Sequence, residues 1–335
     1  MNRQWTMASR PAGMPTEENF KFVSSAVPSP KDGEMLVKTI YLSVDPYMRA
    51  RMRNVRSYVR PFEIGDVIEG GVVGRVVESK NPKFKAGDYV LERLGWQDYA
   101  VTDGKNTRRL DGDPKYLSAA LGVLGMPGLS AYFALLEVGK PKAGETVLVS
   151  SAAGAVGSAV GQIAKIKGGR AVGIAGSDQK VKYLMEECGF DAALNYKSSQ
   201  NLRRSIRNAC PNGVDVYFDN VGGDISDAAI TLINYKARII ICGQISIYNR
   251  EKTEMGPRNL SYLLVNRARM EGFLIHDYES RFDEGLAQLS EWLKSGRLTY
   301  RETIVNGLEN APRAFIGLFH GENIGKQLVK VSDPI

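Results

Sequence analysis

The chain has 335 residues, 43% of them hydrophobic and 24% charged, a balance that excludes a disordered or collagenous protein. At ~100–200 residues per domain, the length predicts two domains. A net charge of +7 leaves nucleic acid, an acidic membrane surface or an anionic cofactor open as partners, whereas the three widely spaced cysteines, Cys188, Cys210 and Cys242, make neither a disulfide framework nor a metal-ligand spacing.

The opening residues Met1-Asn2-Arg3-Gln4-Trp5 lack the apolar core of a signal peptide, so cytoplasmic residence is the expectation. Partial alternation predicts a half-buried strand over 34–44. Arg49, Arg51, Arg53, Arg56 and Arg60 fall within twelve residues, with Tyr47 and Tyr58 nearby; a solvated loop, an anion-attracting rim and an RNA site all fit that run. A second strand, bulged by glycines, is predicted over 67–77. A turn at 85–88 feeds a third strand, and 97–101 reads as another. Short, closely spaced strands of this kind indicate a mainly-β, barrel-like domain.

After about residue 125 the pattern changes. Strand-like runs at 146–150, 171–175, 192–196, 214–219, 238–242 and 270–275 alternate with helical spacing, as in Val181, Leu184, Met185, Cys188 and in Phe282, Leu286, Leu289, Leu293. Six buried strands separated by helices predict an α/β doubly wound parallel sheet. The tail, with strands at 302–305 and 327–331 around a helix at 309–319, is expected to rejoin the first domain, because six strands already complete the sheet.

The first of the six strands runs into Ser151-Ala152-Ala153-Gly154-Ala155-Val156-Gly157. This is the dinucleotide fingerprint with alanine at its first position: Gly154 lets the backbone approach a pyrophosphate and Gly157 lets the helix pack on the strand. The uncharged run 147–164, long enough for a membrane span, is thereby explained as a strand and a helix. The next strand ends at Ala175-Gly176-Ser177-Asp178-Gln179-Lys180. An acidic residue there would hold a ribose diol, but Asp178 resembles a helix N-cap. Lys180 suits a 2′-phosphate, unless it is only a solvated helix residue. NADPH is therefore favoured over NADH.

These residues, together with Ser43-Val44-Asp45-Pro46-Tyr47-Met48-Arg49, Leu124–Tyr132, Phe218-Asp219-Asn220-Val221-Gly222-Gly223, Cys242–Asn249 and Gly321–Lys326, resemble the zinc-independent medium-chain dehydrogenase/reductase superfamily. The nearest branch holds prostaglandin reductase, leukotriene 12-hydroxydehydrogenase, plant alkenal double-bond reductase and bacterial curcumin reductase. The resemblance implies a GroES-like catalytic domain at 1–124 and 298–335 and a Rossmann NADPH-binding domain at 125–297, commonly in a homodimer. It implies NADPH contacts from Met126, Ala153, Gly154, Ala155, Val156, Gly157, Gly176, Ser177, Lys180, Tyr196, Asn220, Cys242, Gly243, Ser246, Tyr248, Phe273 and Asn323. Lys180 and Tyr196 fall at its 2′-phosphate positions, and Asn323 and Tyr248 beside the nicotinamide. Tyr47 and Tyr58 border the substrate cleft, with Tyr248, as catalytic candidates.

One position departs from the family. The tyrosine assigned a catalytic role in eukaryotic members corresponds to Val265, with Tyr262 three residues earlier, so the curcumin-reductase-like branch is the nearer match. No histidine stands in the Glu69–Gly74 stretch where zinc enzymes of the superfamily bind metal, and His276 and His320 read as surface or packing residues.

The expected activity is NADPH-dependent reduction of the carbon–carbon double bond of α,β-unsaturated ketones or aldehydes. Hydride goes to the β-carbon, Tyr248 or a ribose hydroxyl stabilises the enolate, and solvent supplies the α-proton. The rival readings are quinone reduction with the same cofactor and a non-catalytic NADPH- or RNA-binding protein. No metal, nucleic-acid or membrane partner is expected.

Overall fold

A computed structural model describes residues 1–55, 57–111 and 114–334. Arg56 lies outside the described residues. The chain divides into two compact units, 1–121 with 302–323 and 327–335, and 122–301 with 324–326.

In the first unit, β1 (Asn2–Met7) and β2 (Phe20–Ser25) form an antiparallel hairpin. β3 (Met35–Ser43) is followed by a one-turn helix α1 (Met48–Arg51) and by β4 (Gly71–Ser79), β5 (Tyr89–Arg93), β6 (Tyr99–Thr102) and β7 (Arg108–Leu110). The strand expected over 67–77 starts only at Gly71. Before it, Ile68 is tied elsewhere: its N–H donates to Trp5 O at 3.0 Å and its carbonyl accepts from Trp96 N–H at 2.8 Å.

The second unit opens with α2 (Met126–Phe133) and continues through β8 (Thr146–Val149), α3 (Ala155–Ile166), β9 (Arg170–Ala175), α4 (Asp178–Glu186), β10 (Ala192–Asn195), α5 (Leu202–Ala209), β11 (Val214–Asp219), α6 (Gly223–Ile230), β12 (Ile233–Ile241), α7 (Leu260–Asn266), β13 (Arg269–Gly272) and α8 (Phe282–Lys294). The six strands make one parallel sheet in the order β10-β9-β8-β11-β12-β13. The order reverses between β8 and β11, the point where open α/β sheets take ligands beyond their carboxyl ends. The uncharged run 147–164 is divided between β8 and α3, and among the described residues no helix is long and apolar enough to cross a membrane.

The tail then adds β14 (Glu302–Asn306), α9 (Ala311–His320) and β15 (Lys326–Lys330). β14 and β15 extend the first unit's sheet through β3. Leu308, Phe315 and Val329 share a core with Met7, Phe20, Leu42, Met48, Ile68 and Trp96. Phe20 stacks on Trp96 with ring centroids 5.8 Å apart.

Two of the arginines, Arg49 and Arg51, are buried rather than presented to solvent or to an anion, whereas Arg60 is exposed. Arg49 is fully buried and donates to the carbonyls of Pro11 and Gly13 at 3.2 and 2.7 Å. Burial and the charge of Arg53 bring its pKa down to about 10. Arg51 is buried as well, paired with Glu69 at 2.5 Å and lying 4.2 Å over the Phe62 ring. Both guanidiniums staple loop backbone and side chains to the core.

Candidate cofactor and active site

The turn from β8 into α3 is shaped by what a side chain would strike. A Cβ on Gly157 would meet Ser151 O at 2.4 Å and Ala152 Cα at 2.7 Å, so the helix lies against the turn at a distance only glycine permits. Alanine is accommodated at the first fingerprint position because Gly173 on β9 faces it: a Cβ there would stand 3.0 Å from Ala152 Cβ. Gly154 caps α3 in extended conformation with no side-chain hydrogen bond. The first amides of a 12-residue helix thus carry their partial positive charge toward this turn, with Ala153, Ala155 and Val156 around them. Gly325 clasps the same turn, its N–H donating to Ala153 O at 2.8 Å.

At the end of β9 the N-cap of α4 is Ser177, whose Oγ accepts from Lys180 N–H at 3.3 Å. Asp178, expected as the cap, is instead the first helical residue. Its carboxylate accepts from Asn195 Nδ2 at 2.9 Å, because Ser177 already supplies the oxygen that the helix start needs. Gly176 lies against the end of β10: a Cβ would stand 3.3 Å from Tyr196 Cε1 and 3.5 Å from Lys197 Cε. Burial and then the charge of Lys197 lower the pKa of Lys180. Gly176, Lys180, Tyr196 and Lys197 therefore form one cationic corner. The sequence reading missed Lys197, although its place directly after Tyr196 at a strand end is a usable signal.

The third group gathers past β11 and β12. Cys242 and Gly243 donate from their amides to Asp219 O at 2.9 and 3.1 Å. Ser246 Oγ donates to Val221 O at 2.6 Å. A Cβ on Gly243 would stand 3.4 Å from both Asn220 O and the Tyr248 hydroxyl, so Asn220, Gly243 and Tyr248 converge. The Tyr248 oxygen accepts from Gln244 N–H at 3.2 Å. Burial raises the Tyr248 pKa, the Gln244 amide works against it, and the charge of Asp219 adds to the rise, so the hydroxyl keeps its proton. Phe273, buried, donates its amide to Ile241 O at 3.0 Å and stacks on Tyr278. Met126 opens α2, partly exposed.

The remaining candidates, Tyr47, Tyr58 and Asn323, belong to the first unit. The Tyr47 hydroxyl accepts from Arg93 Nη2 at 3.3 Å and burial raises its pKa. Tyr58 is exposed. His276 is exposed and within 2.6 Å of Glu279, and His320, also exposed, ends α9.

The fold and these three groups define an oxidoreductase built on a dinucleotide-type parallel sheet. Residues 3–110 match the family model described as the N-terminal domain of oxidoreductase, and residues 155–292 match the one described as zinc-binding dehydrogenase. The chain is 45% identical over 336 residues to NADPH-dependent curcumin reductase of Escherichia coli (strain K12), covering 99% of this chain and 97% of that protein. It is 44% identical over 336 residues to the NADP(+)-dependent 2-alkenal reductase of Nicotiana tabacum, covering 99% and 98%. The crystal structure of CurA in complex with NADPH from Vibrio vulnificus superposes with a TM-score of 0.95 at 46% identity, over 99% of this chain and 100% of that one. The chain belongs to the medium-chain dehydrogenase/reductase family, in its zinc-independent branch. Among the described residues no group of three or more His, Cys, Asp or Glu is placed to hold a metal ion.

Proposed function

We propose that this protein is an NADPH-dependent reductase of carbon–carbon double bonds conjugated to a ketone or aldehyde. The observation that carries the reading is the convergence of Asn220, Gly243 and the Tyr248 hydroxyl at the carboxyl edge of the sheet, in a chain 44–45% identical to a curcumin reductase and an alkenal reductase.

The three groups fit the parts of NADPH in order. The uncapped start of α3 suits the pyrophosphate. The corner of Gly176, Ser177, Lys180, Tyr196 and Lys197 suits the 2′-phosphate. Asn220, Cys242, Gly243, Ser246, Tyr248 and Phe273, with Met126, would hold the nicotinamide end. When bound, NADPH supplies the hydride that reaches the β-carbon of the enone. Negative charge then develops on the substrate carbonyl oxygen, and the protonated Tyr248 phenol meets it there. Such donors count most because they act as the charge appears. Solvent returns a proton to the α-carbon.

Association as a homodimer in the cytoplasm completes the reading. Its support is the free edge of the parallel sheet: every residue of β13 is exposed, and α7 beside it buries none of its own.

The test is NADPH oxidation across short enals, long-chain enones and diarylheptanoid enones, with a quinone as comparator and the saturated carbonyl product identified. Oxidation with a quinone and none with any enone would overturn the proposal.

A further inference from the structure

Asp219 ends β11 with no exposed surface, and no step of the proposed reduction uses its carboxylate. Its Oδ1 accepts from Ser150 Oγ at 2.9 Å, from the Tyr217 hydroxyl at 2.8 Å, and from the amides of Val221 and Gly222 at 3.0 Å each. Its Oδ2 is buried with no hydrogen-bond partner among the described residues. A buried carboxylate is expensive to desolvate and survives where donors are organised around it.

What those donors organise is the crossing point of the sheet. With its hydrogen committed to Asp219, Ser150 Oγ presents a lone pair to the Asn220 amide, which donates to it at 2.8 Å. Asn220 Nδ2 donates to Ser150 O, also at 2.8 Å. Ser150 immediately follows β8, and Asn220 immediately follows β11, the two neighbouring strands between which the strand order reverses. One carboxylate therefore sets a hydroxyl rotor and the 219–222 turn and, through that hydroxyl, the backbone amide of Asn220, whose side chain is held by the Ser150 carbonyl beside it.

We infer that Asp219 is a positioning residue of the cofactor site, acting through Ser150 to hold Asn220 and the chain entering the glycine turn in the arrangement that receives the nicotinamide half of the dinucleotide. The inference rests on the reading of this edge as the NADPH site. A merely structural Asp219 would affect stability and leave affinity alone, so the two readouts separate the roles.

Two variants test it. Asp219→Asn keeps the shape and removes the charge that strengthens four hydrogen bonds. Ser150→Ala leaves Asp219 three donors and removes the hydroxyl that accepts from the Asn220 amide, while the bond from Asn220 Nδ2 to the backbone carbonyl of residue 150 stays. NADPH dissociation constants from fluorescence titration, melting temperatures, and KM and kcat on one enone are measured for both. The control is Ile206→Ala, fully buried on α5 and outside the site. Each site variant is expected to weaken NADPH binding about tenfold or more, the scale of one charge-assisted hydrogen bond. KM for NADPH should rise more than kcat falls. Ile206→Ala should lose as much melting temperature with its NADPH affinity intact. If Asp219→Asn does not fold, Ser150→Ala decides. Wild-type affinity in Ser150→Ala overturns the inference alone. A wild-type protein that does not bind NADPH overturns the cofactor reading and the inference with it.

Discussion

Lys180 carries its charge against two opposing effects, partial burial and the nearby Lys197. A phosphate dianion would offset both, and it is the part of NADPH that NADH lacks. A charge-assisted contact contributes roughly 1.5–3 kcal/mol. Lys180→Ala should therefore raise KM for NADPH about ten- to a hundredfold and leave KM for NADH nearly unchanged; equal effects on both would place Lys180 outside the phosphate site. Tyr248 has a different task. Removing one donor from a preorganised, dry oxyanion site can cost ~10²–10³ in rate, and a ribose hydroxyl sharing the load would reduce that. Tyr248→Phe should lower kcat about ten- to a hundredfold with NADPH affinity retained, whereas wild-type turnover would leave the ring as packing only. Cys242 raises a question peculiar to this chemistry, since enones are electrophiles that attack thiolates. Burial pushes the Cys242 thiol up to about 12, with Asp219 adding to the rise. Although the residue is only half-buried, far less of this thiol is ionised at pH 8 than of a free cysteine, which is roughly a quarter thiolate there. Alkylation of Cys242 by iodoacetamide, followed on its peptide by mass spectrometry, should run more than about tenfold slower than on a free thiol and rise with pH. Free-thiol reactivity would show that burial does not protect it.

At the scale of elements, α3 packs through buried Val160 and Ile163 and through glycines that let neighbouring groups approach its backbone. A Cβ on Gly161 would lie 1.9 Å from Phe190 Cζ, within the ring of a buried residue. Gly161→Ala must push the ring or the helix away, a repacking that costs about 1–3 kcal/mol. Melting should fall by about 2–4 °C for each of those kcal/mol, and an unchanged melting temperature would mean that Phe190 swings aside freely. Five of the six sheet strands were legible in the sequence because apolar runs mark them, as Val214–Asp219 does; the sixth, expected as a buried strand over 270–275, is β13, whose residues Arg269 to Gly272 are all exposed because it forms the edge of the sheet. The hairpin β1–β2 was not legible, because β2 buries only Phe20 fully and shows no alternation over Phe20–Ser25. β12 begins at Ile233, five residues before the predicted start, because polar Asn234, Tyr235 and Lys236 interrupt the apolar pattern while the backbone continues through a positive φ at Lys236. Within the site, the glycine turn could be read locally, since its spacing is its function. The Asp219–Ser150–Asn220 relay could not, because it joins strands 69 and 70 residues apart that only the parallel register brings together.

At the scale of the whole molecule, the sheet ends in β13 with a backbone edge that an isolated protein would have to shield. Two copies related by a twofold axis can shield it for each other. An antiparallel self-pairing centred on Met270 sets Arg269 of one copy opposite Glu271 of the other, twice by symmetry, so the edge is complementary to itself. Next to it α7 exposes Leu260, Leu264 and Val265 at 68%, 79% and 76%, an apolar surface that water alone would not favour. Val265, with a hydrocarbon side chain, thus has packing rather than proton transfer to offer. Sedimentation of the wild-type protein should give about twice the 36.8 kDa chain mass at micromolar concentration. Glu271→Arg turns both cross-strand pairs into like charges. Each such pair shifts the balance by about 0.2–1 kcal/mol, so the dissociation constant should rise roughly two- to thirtyfold. Leu264→Asp with Val265→Asp should do more, because it places charge on the apolar half of the interface, and should give monomer that still binds NADPH. A wild-type protein that sediments as a monomer, or a dimer indifferent to both substitutions, would place the interface elsewhere or remove it.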